Sequence, residues 1–380
     1  MVTASCEDEL VDVSKVSYKG TKTITETNVG EYSEAIDITK ASYTDNNLTV
    51  TFEAGTPVKF KIEQKPVTIT INGSSDTKTY TGEPLTSNTT VTPSCGDSLF
   101  DATKFSYSGT ATITMTEVGK SSVAIDIEKA SYDDENLDVT FVAGTPVTFA
   151  INPKAVTITA NSNSWTYDGA AHTEAGFTAT ALEEGDEHEF TVVMTEESTI
   201  TNVGTQPNVI ATVDGEAVET GVEKAIGNYL VTTVDGELEI KKDTAELVIT
   251  SATNSWTYDS KLHKDETYTV TYNGETVAAG EDGKTFTLAN GDVITITATA
   301  AGVTNVADNA EKNNTYTYTV KHGDTDTSGN YETITANVGT LTINPKAVTI
   351  TANSNSWTYD GAAHTEAGFT ATALEEGDAP

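Results

Sequence analysis

"KAVTITANSNSWTYDGAAHTEAGFTATALEEGD" fills residues 154–186, and the same stretch fills residues 346–378. Its first residues alternate threonine with valine, isoleucine and alanine, which is the period-two pattern of a strand with one buried face. Asp168 and Gly169 then supply a tight turn. A segment that occurs twice without change indicates an internal repeat.

Weaker similarities extend this repeat over the whole chain. The shift that places Cys6 on Cys95 also places "ASYTDNNLTVTFEAGTPVKFKI" on "ASYDDENLDVTFVAGTPVTFAI". Trp165, Trp256 and Trp357 mark one position in the later copies. We therefore expect a tandem array of modules of roughly 90–100 residues. The predicted boundaries are 1–64 (a truncated repeat), 65–153, 154–243, 244–345 and 346–380 (the start of a further repeat), which suggests a piece cut from a longer repetitive protein.

The same pattern predicts the fold class. Each module opens with an alternating strand and a second short strand around "SWTYDG" or "KTYTGE", and closes with "NLDVTFVAGTPVTFAI" or a related stretch. The closing stretch has a glycine between two alternating runs and reads as a hairpin. We expect an all-β fold, either β-grasp-like or an immunoglobulin-like sandwich. The joints are only a few residues long, which favours a stiff, elongated rod.

Charge and hydropathy exclude several classes of partner. The net charge is −36, and all 21 basic residues are lysine. A surface of this sign repels nucleic acid and anionic lipid, and it lacks arginine, the usual reader of phosphates and base edges. The sequence has no run of 18 apolar residues, and its first residues do not form a basic and apolar leader. We expect no nucleic-acid partner, no membrane insertion by this fragment and no export signal within it.

The order of the motifs resembles a known family. "VTIT", then "YDG" or "YTG", then "TNVG" (27–30 and 201–204), then "GNY" with "VDGELEI" are similar to the YDG and MBG repeats of bacterial surface adhesins, including filamentous-haemagglutinin-like and Gram-positive cell-wall proteins. The resemblance covers nearly the whole chain. It implies compact β-rich modules in an exported protein at the cell surface or cell wall, and it implies no enzymatic activity.

One loop has the spacing of a metal site. In "DTDTSGN" the oxygens of Asp324, Asp326, Ser328 and Asn330 alternate around Gly329, as in the first half of a calcium-binding loop. The residue that should offer a bidentate carboxylate is Thr335. Calcium is therefore one hypothesis for this loop, and a plain solvated connection is the other. No other cofactor is expected.

Aromatic and sulfur residues give the remaining candidates. Trp165, Trp256 and Trp357 could contact a glycan or host-protein ligand, or pack in the core. His172, His263 and His364 occupy one repeated position, which favours a structural role over catalysis. The two cysteines occur in different modules, so we expect free, buried thiols, with an intermolecular disulfide as the alternative.

Three functions remain open on the sequence. The first hypothesis is that the chain is a non-catalytic structural stalk of a surface adhesin, whose partners are the neighbouring repeats. Alternatively, it is a filament subunit that donates its C-terminal hairpin (346–380) to the incomplete first repeat of another copy. The third hypothesis is a module that binds a host glycan or protein.

Overall fold

The computed structural model describes residues 2–182 and 186–378, and they form an all-β protein. The described helices are short 3₁₀ turns, at Val13–Lys15, Ile38–Lys40, Ala102–Lys104, Ile127–Lys129, Val306–Asp308 and Ser328–Asn330. A β-grasp fold needs a helix packed across its sheet, and no such helix lies in the described ranges, so that alternative is not supported. None of these helices has the length and apolar character needed to cross a membrane.

The strands are numbered in chain order. Residues 1–64 contribute β1 (Val16–Tyr18), β2 (Gly30–Glu34), β3 (Ala41–Tyr43) and β4 (Val58–Ile62). Residues 65–153 contribute β5 (Lys65–Gly73), β6 (Ser75–Thr79), β7 (Leu85–Thr86), β8 (Val91–Ser94), β9 (Phe105–Tyr107), β10 (Thr114–Met115), β11 (Gly119–Val123), β12 (Ala130–Tyr132), β13 (Leu137–Ala143) and β14 (Val147–Asn152).

The second half of the chain continues in the same way. Residues 154–243 contribute β15 (Lys154–Ala160), β16 (Asn163–Thr166), β17 (Phe177–Ala179), β18 (Val192–Met194), β19 (Gly204–Asn208), β20 (Ile210–Val213), β21 (Glu216–Ala217), β22 (Lys224–Ile226), β23 (Tyr229–Val234) and β24 (Gly236–Lys241). The remaining strands are β25 (Leu247–Ser251), β26 (Asn254–Thr257), β27 (Tyr268–Tyr272), β28 (Glu275–Val277), β29 (Thr285–Thr287), β30 (Val293–Ala298), β31 (Tyr316–His322), β32 (Thr325–Asp326), β33 (Ile334–Asn337), β34 (Leu341–Asn344), β35 (Ile350–Ala352) and β36 (Phe369–Ala371).

Consecutive strands in segment 65–153 lie in different sheets. The opening strand β5 pairs in parallel with β13, and its other edge pairs antiparallel with β8. The next strand, β6, pairs in parallel with β14, whose other edge pairs antiparallel with β11. The predicted closing hairpin is therefore wrong: β13 and β14 do not pair with each other, because each pairs with one of the opening strands.

This parallel pairing recurs further along the chain. Strand β16 pairs in parallel with β24, which also pairs antiparallel with β19. In segment 244–345, β25 pairs in parallel with β33, and β26 pairs in parallel with β34. In each case the second opening strand lies beside the last strand of the segment.

The cores follow the alternation that the sequence predicts. On β5, Val67, Ile69 and Ile71 are buried, while the threonines between them are more exposed. Facing strands contribute Val147, Phe149 and Ile151 from β14. At about 25 cal/mol per Å² of apolar surface, burying each of these side chains contributes about 1.5–3 kcal/mol. In the next segment, Val156 and Ile158 of β15 are buried as well.

Residues 2–64 depart from this arrangement. Strands β1 to β4 pair as β9, β11, β12 and β14 do, with β1 against β3 and β2 against β4. However, residues 48–54, which correspond to β13, form no strand, so the prediction of a closing strand there is wrong. A parallel strand needs a partner, and the counterpart of β5 is not among the described residues before it. No described residue of this segment is buried.

The chain forms two compact units. The first contains residues 1–155, 182–188 and 227–230. The second contains residues 156–181, 189–226 and 231–380. The first unit thus includes two short pieces of the predicted module 154–243, and these pieces contribute Asp186, Asn228 and Tyr229 to it.

The cysteines are free, and one expectation about them is wrong. Cys6 is exposed and Cys95 is half-buried, so neither is the buried thiol that the sequence suggested. Cys6 lies in a segment without a closed core, and this explains its exposure.

Candidate functional site

The predicted calcium ligands do not act together. Asp326 accepts hydrogen bonds from the backbone N–H of Ser328 (2.9 Å) and from its hydroxyl (2.7 Å), as in an ordinary loop turn. Asn330 is buried, and its side chain bonds residues far away in sequence. Asp324 is exposed. Among the described residues, no group of three or more His, Cys, Asp or Glu side chains could hold a metal ion. Calcium stays a prediction.

The three tryptophans share one environment. Trp165, Trp256 and Trp357 stack on His172, His263 and His364, with ring centroids 4.8, 4.8 and 5.2 Å apart. Each histidine in turn bonds the aspartate of the adjacent turn, at 2.9, 2.7 and 2.8 Å.

This stack is built from residues of a single turn. Trp165 and Trp256 are half-buried and pack against apolar clusters, while Trp357 is 44% exposed. The hydrogen bond from His172 is the main reason that the pKa of Asp168 lies below its usual value. We call Tyr167-Asp168-Gly169 and its copies at Tyr258 and Tyr359 the tyrosine turn. The stacked histidine holds this turn in place in each copy.

A repeated contact joins the predicted modules. The side-chain oxygen of Asn330 accepts the backbone N–H of Val203 at 3.0 Å, and its amide group donates to Asn202 at 2.9 Å. Asn228 makes the same pair of bonds, to the N–H of Val118 (3.0 Å) and to Glu117 (2.5 Å). We call this two-bond contact the asparagine clamp.

The third clamp lies nearer the N-terminus. Asn136 accepts the N–H of Val29 at 2.8 Å and approaches the Asn28 oxygen at 3.5 Å. Each clamp therefore binds the valine of a "TNVG" or "TEVG" stretch to an asparagine that precedes a closing strand about one module later.

A second contact surrounds Asp292, which is completely buried. Its carboxylate accepts hydrogen bonds from the hydroxyls of Tyr167 (3.0 and 3.1 Å), Tyr331 (2.6 Å) and Thr327 (2.8 Å). The His322 ring lies 3.0 Å away. A buried carboxylate is tolerated when several donors replace its water, and this one has them.

The same grouping occurs elsewhere with equivalent residues. Tyr229 donates to Asp186 at 2.6 Å, and its ring packs edge-on against Tyr80 at 5.8 Å, as Tyr331 does against Tyr167 at 5.9 Å. Tyr258 donates to Asp378 at 2.8 Å. In each group the aspartate belongs to a Gly-Asp pair and the first tyrosine belongs to the preceding tyrosine turn.

The turn glycine lets these groups approach closely. Gly169 has φ of +78°, and a Cβ placed on it would lie 2.1 Å from the carbonyl oxygen of Asn290. The corresponding Gly82 has φ of +83° and lies against Asp186. Glycine is required at Gly169 both for its backbone conformation and for the space it leaves.

Burial changes the chemistry of the tyrosines in the second unit. Burial is the main cause that raises the pKa of Tyr167 and Tyr331, and the Asp292 carboxylate adds to the effect. Burial also raises the pKa of Tyr316 to about 12. These hydroxyls therefore act as hydrogen-bond donors throughout the physiological range and are poor general bases.

Sequence reasoning missed the clamp and the buried aspartate. Both carried a signal, because "GNY" and Gly-Asp recur at corresponding positions. The local spacing of Asn330 fits a calcium loop, whereas its bonding partners lie in "TNVG" far upstream.

The chain was compared with protein-family models, curated proteins and solved structures, and no match was found in any of the three.

The close approach of Gly169 generates the first prediction. Gly169→Ala adds a steric clash with Asn290 to the backbone cost of positive φ, and should destabilise the second unit by roughly 2–4 kcal/mol. Urea denaturation monitored by tryptophan fluorescence measures this loss.

Gly215→Ala is the matched control. Gly215 has a similar φ of +80°, but nothing lies within 4 Å of a Cβ placed there. The substitution Gly215→Ala should therefore lower the free energy of unfolding only by the backbone strain of about 1–2 kcal/mol. Equal losses in the two variants would show that the contact with Asn290 is unimportant.

The buried tyrosines generate a pH prediction. The unfolded chain releases tyrosine protons near pH 10, whereas the folded chain keeps them, so stability is complete below pH 10 and falls as the pH rises toward the folded pKa. For Tyr316 this window runs from about 10 to about 12. For each tyrosine whose proton the unfolded chain releases and the folded chain keeps, the free energy of unfolding should fall by about 1.4 kcal/mol per pH unit as the pH rises. In urea titrations at increasing pH, Tyr316→Phe should show a shallower fall, and an unchanged slope would contradict the assignment.

Proposed function

We propose that this chain is a non-catalytic structural stalk region of an exported bacterial surface adhesin. The proposal is supported by the resemblance to adhesin repeats over nearly the whole sequence, and by the asparagine clamps and tyrosine–aspartate contacts that recur between predicted modules. On this proposal the chain functions outside the cell, at the surface or in the cell wall, and the neighbouring repeats are its immediate partners.

The observation that carries the proposal is the parallel pairing of opening and closing strands. In segment 65–153 the chain enters through β5 and β6 and leaves through β14, which lies parallel to β6 over Thr148–Asn152. The same holds for β16 with β24 and for β26 with β34. Tension applied at the two ends of such a segment pulls paired parallel strands in opposite directions along their length.

This loading geometry resists tension well. The interstrand hydrogen bonds are perpendicular or slanted to the pull, so several bonds have to break together rather than one after another. The asparagine clamps and the buried Asp292 group add bonds between predicted modules. A protein that holds a distal binding tip away from a cell requires this resistance.

The negative charge fits the same role. A net charge of −36 keeps the surface hydrated and makes like segments repel one another. We do not propose the glycan-binding alternative, since Trp165 and Trp256 pack against apolar clusters instead of presenting free ring faces.

Cell-surface exposure tests the proposal. Antibodies raised against residues 65–345 should label intact cells of the organism that encodes the chain, and external protease should remove the labelling while a cytosolic marker survives. Labelling that needs cell lysis would contradict the proposal, because an internal protein cannot serve as a surface stalk.

A further inference from the structure

The last strand of a segment has an outer edge, and the segments cover this edge in two ways. Strand β14 lies between β6 and β11, and β24 lies between β16 and β19, so both edges of each are paired. Strand β34 pairs with β26, and it has no second partner among the described strands. An unpaired edge presents backbone N–H and C=O groups that can pair with a strand of another chain.

The sequence changes at the place where the covering strand would form. In segment 154–243, β19 follows Val203 directly and ends at Asn208. Val306 and Asn314 are the corresponding residues of segment 244–345: the side-chain amides of Asn208 and Asn314 each donate to two backbone carbonyls, at 2.8 to 2.9 Å. Four residues separate the first pair, whereas seven, residues 307–313, separate the second. We call residues 307–313 the strap, and they form no strand.

The strap covers the edge of β34 with two side chains. The N–H of Ile343 donates to the Asn309 oxygen at 2.7 Å, and the Asn309 amide donates to the Ile343 carbonyl at 2.9 Å. Asn313 makes the same two bonds with Leu341, at 2.6 and 2.9 Å. Each carboxamide thus offers one acceptor and one donor to a single residue of the strand, as the backbone of a neighbouring strand does.

Hydrogen bonds, not apolar contacts, hold the strap in this position. Residues 305–312 are exposed. Asp308 stabilises the turn before Asn309, because its carboxylate accepts the N–H groups of Thr304 at 2.9 Å and Asn305 at 2.7 Å. The side chains of Asn309 and Asn313 are therefore the main contacts between the strap and the strand edge.

The edge has no charged residue of its own. Leu341–Asn344 is "LTIN", and charges on an edge strand are a common means of preventing unwanted pairing. Pro345 ends the strand, but the N–H groups of Leu341 and Ile343 come before it. These two residues need another form of cover, and the strap supplies it.

We propose that Asn309 and Asn313 keep the outer edge of β34 from pairing with a second copy of this chain. This goes beyond the stalk function and does not depend on it. Without the two carboxamides, the backbone groups of Leu341 and Ile343 face outward unpaired. An antiparallel β34 from a second copy replaces all four lost bonds, because Leu341 of each copy exchanges two bonds with Ile343 of the other. The contact has two-fold symmetry, and every copy carries the same edge.

The test compares two double variants of the full chain by light scattering over a wide range of protein concentration. Asn309→Ala with Asn313→Ala removes both acceptors and both donors. This variant should form dimers at a concentration roughly tenfold lower than the unaltered chain requires. Asn309→Asp with Asn313→Asp is the matched control: it loses the same two donors, keeps an acceptor for each N–H and adds charge to the edge. It should associate no more readily than the unaltered chain.

Hydrogen exchange shows whether β34 is the edge that pairs. In the dilute alanine double variant, the amides of Leu341 and Ile343 should exchange roughly 5- to 10-fold faster than in the unaltered chain, while the amides of β31 keep their rates. Their protection should return as the concentration rises, because a second β34 then covers them. Asn313→Ala alone should accelerate exchange at Leu341 but not at Ile343, and it gives the same comparison if the double substitution unfolds the segment.

Three results overturn the proposal. The first is an alanine double variant that associates no more readily than the unaltered chain. The second is equal association of the alanine and aspartate variants, because general destabilisation and not an open edge would then be the cause. The third is association without renewed protection at Leu341 and Ile343, because another surface would then form the contact.

Discussion

The parallel pairing between the opening and closing strands of a segment is the constraint on which the remaining structure depends. Parallel partners cannot be adjacent in sequence, because a crossover has to connect them. Strands β5 and β6 therefore pair with β13 and β14, which lie at the end of the segment. Consecutive strands consequently lie in different sheets, and the sheets of β5 and β6 are complete only with the closing strands β13 and β14. In these completed sheets Val67, Ile69 and Phe149 are buried.

The same constraint places the contacts between predicted modules. The last strand of a segment lies beside its second opening strand. The tyrosine turn that follows this opening strand is therefore close to the C-terminal end of the last strand. The N–H of Tyr167 donates to the carbonyl of Lys241, and that of Tyr258 donates to Asn344, both at 2.9 Å. From this position each tyrosine can reach the aspartate of the next segment, as Tyr167 reaches Asp292.

The sequence correctly predicted strands from their own alternation of apolar and polar residues. It failed where a partner distant in sequence determines whether a strand forms or where a side chain points. Alternation at Val156–Ala160 correctly indicated a half-buried strand. The stretches 47–54 and 136–143 are nearly the same in sequence, yet only the second forms a strand, because β5 is present beside it. Asn330 has the spacing of a calcium ligand, but a backbone N–H more than a hundred residues away determines where it points.

The prediction of an all-β fold was confirmed, and the prediction of a closing hairpin was wrong. A glycine between two alternating runs does not distinguish a hairpin from a connection between two sheets.

Native-state hydrogen exchange on the chain tests the parallel-pairing constraint most directly. It compares amides in residues 48–54 with those in residues 137–143, which have almost the same sequence but differ in whether an opening strand lies alongside. We predict that amides of 137–143 exchange roughly 100-fold more slowly or better, because only they are held in a ladder that opens with the folded core. Equal exchange rates in the two stretches would contradict this, since closing strands would then form without their parallel partners.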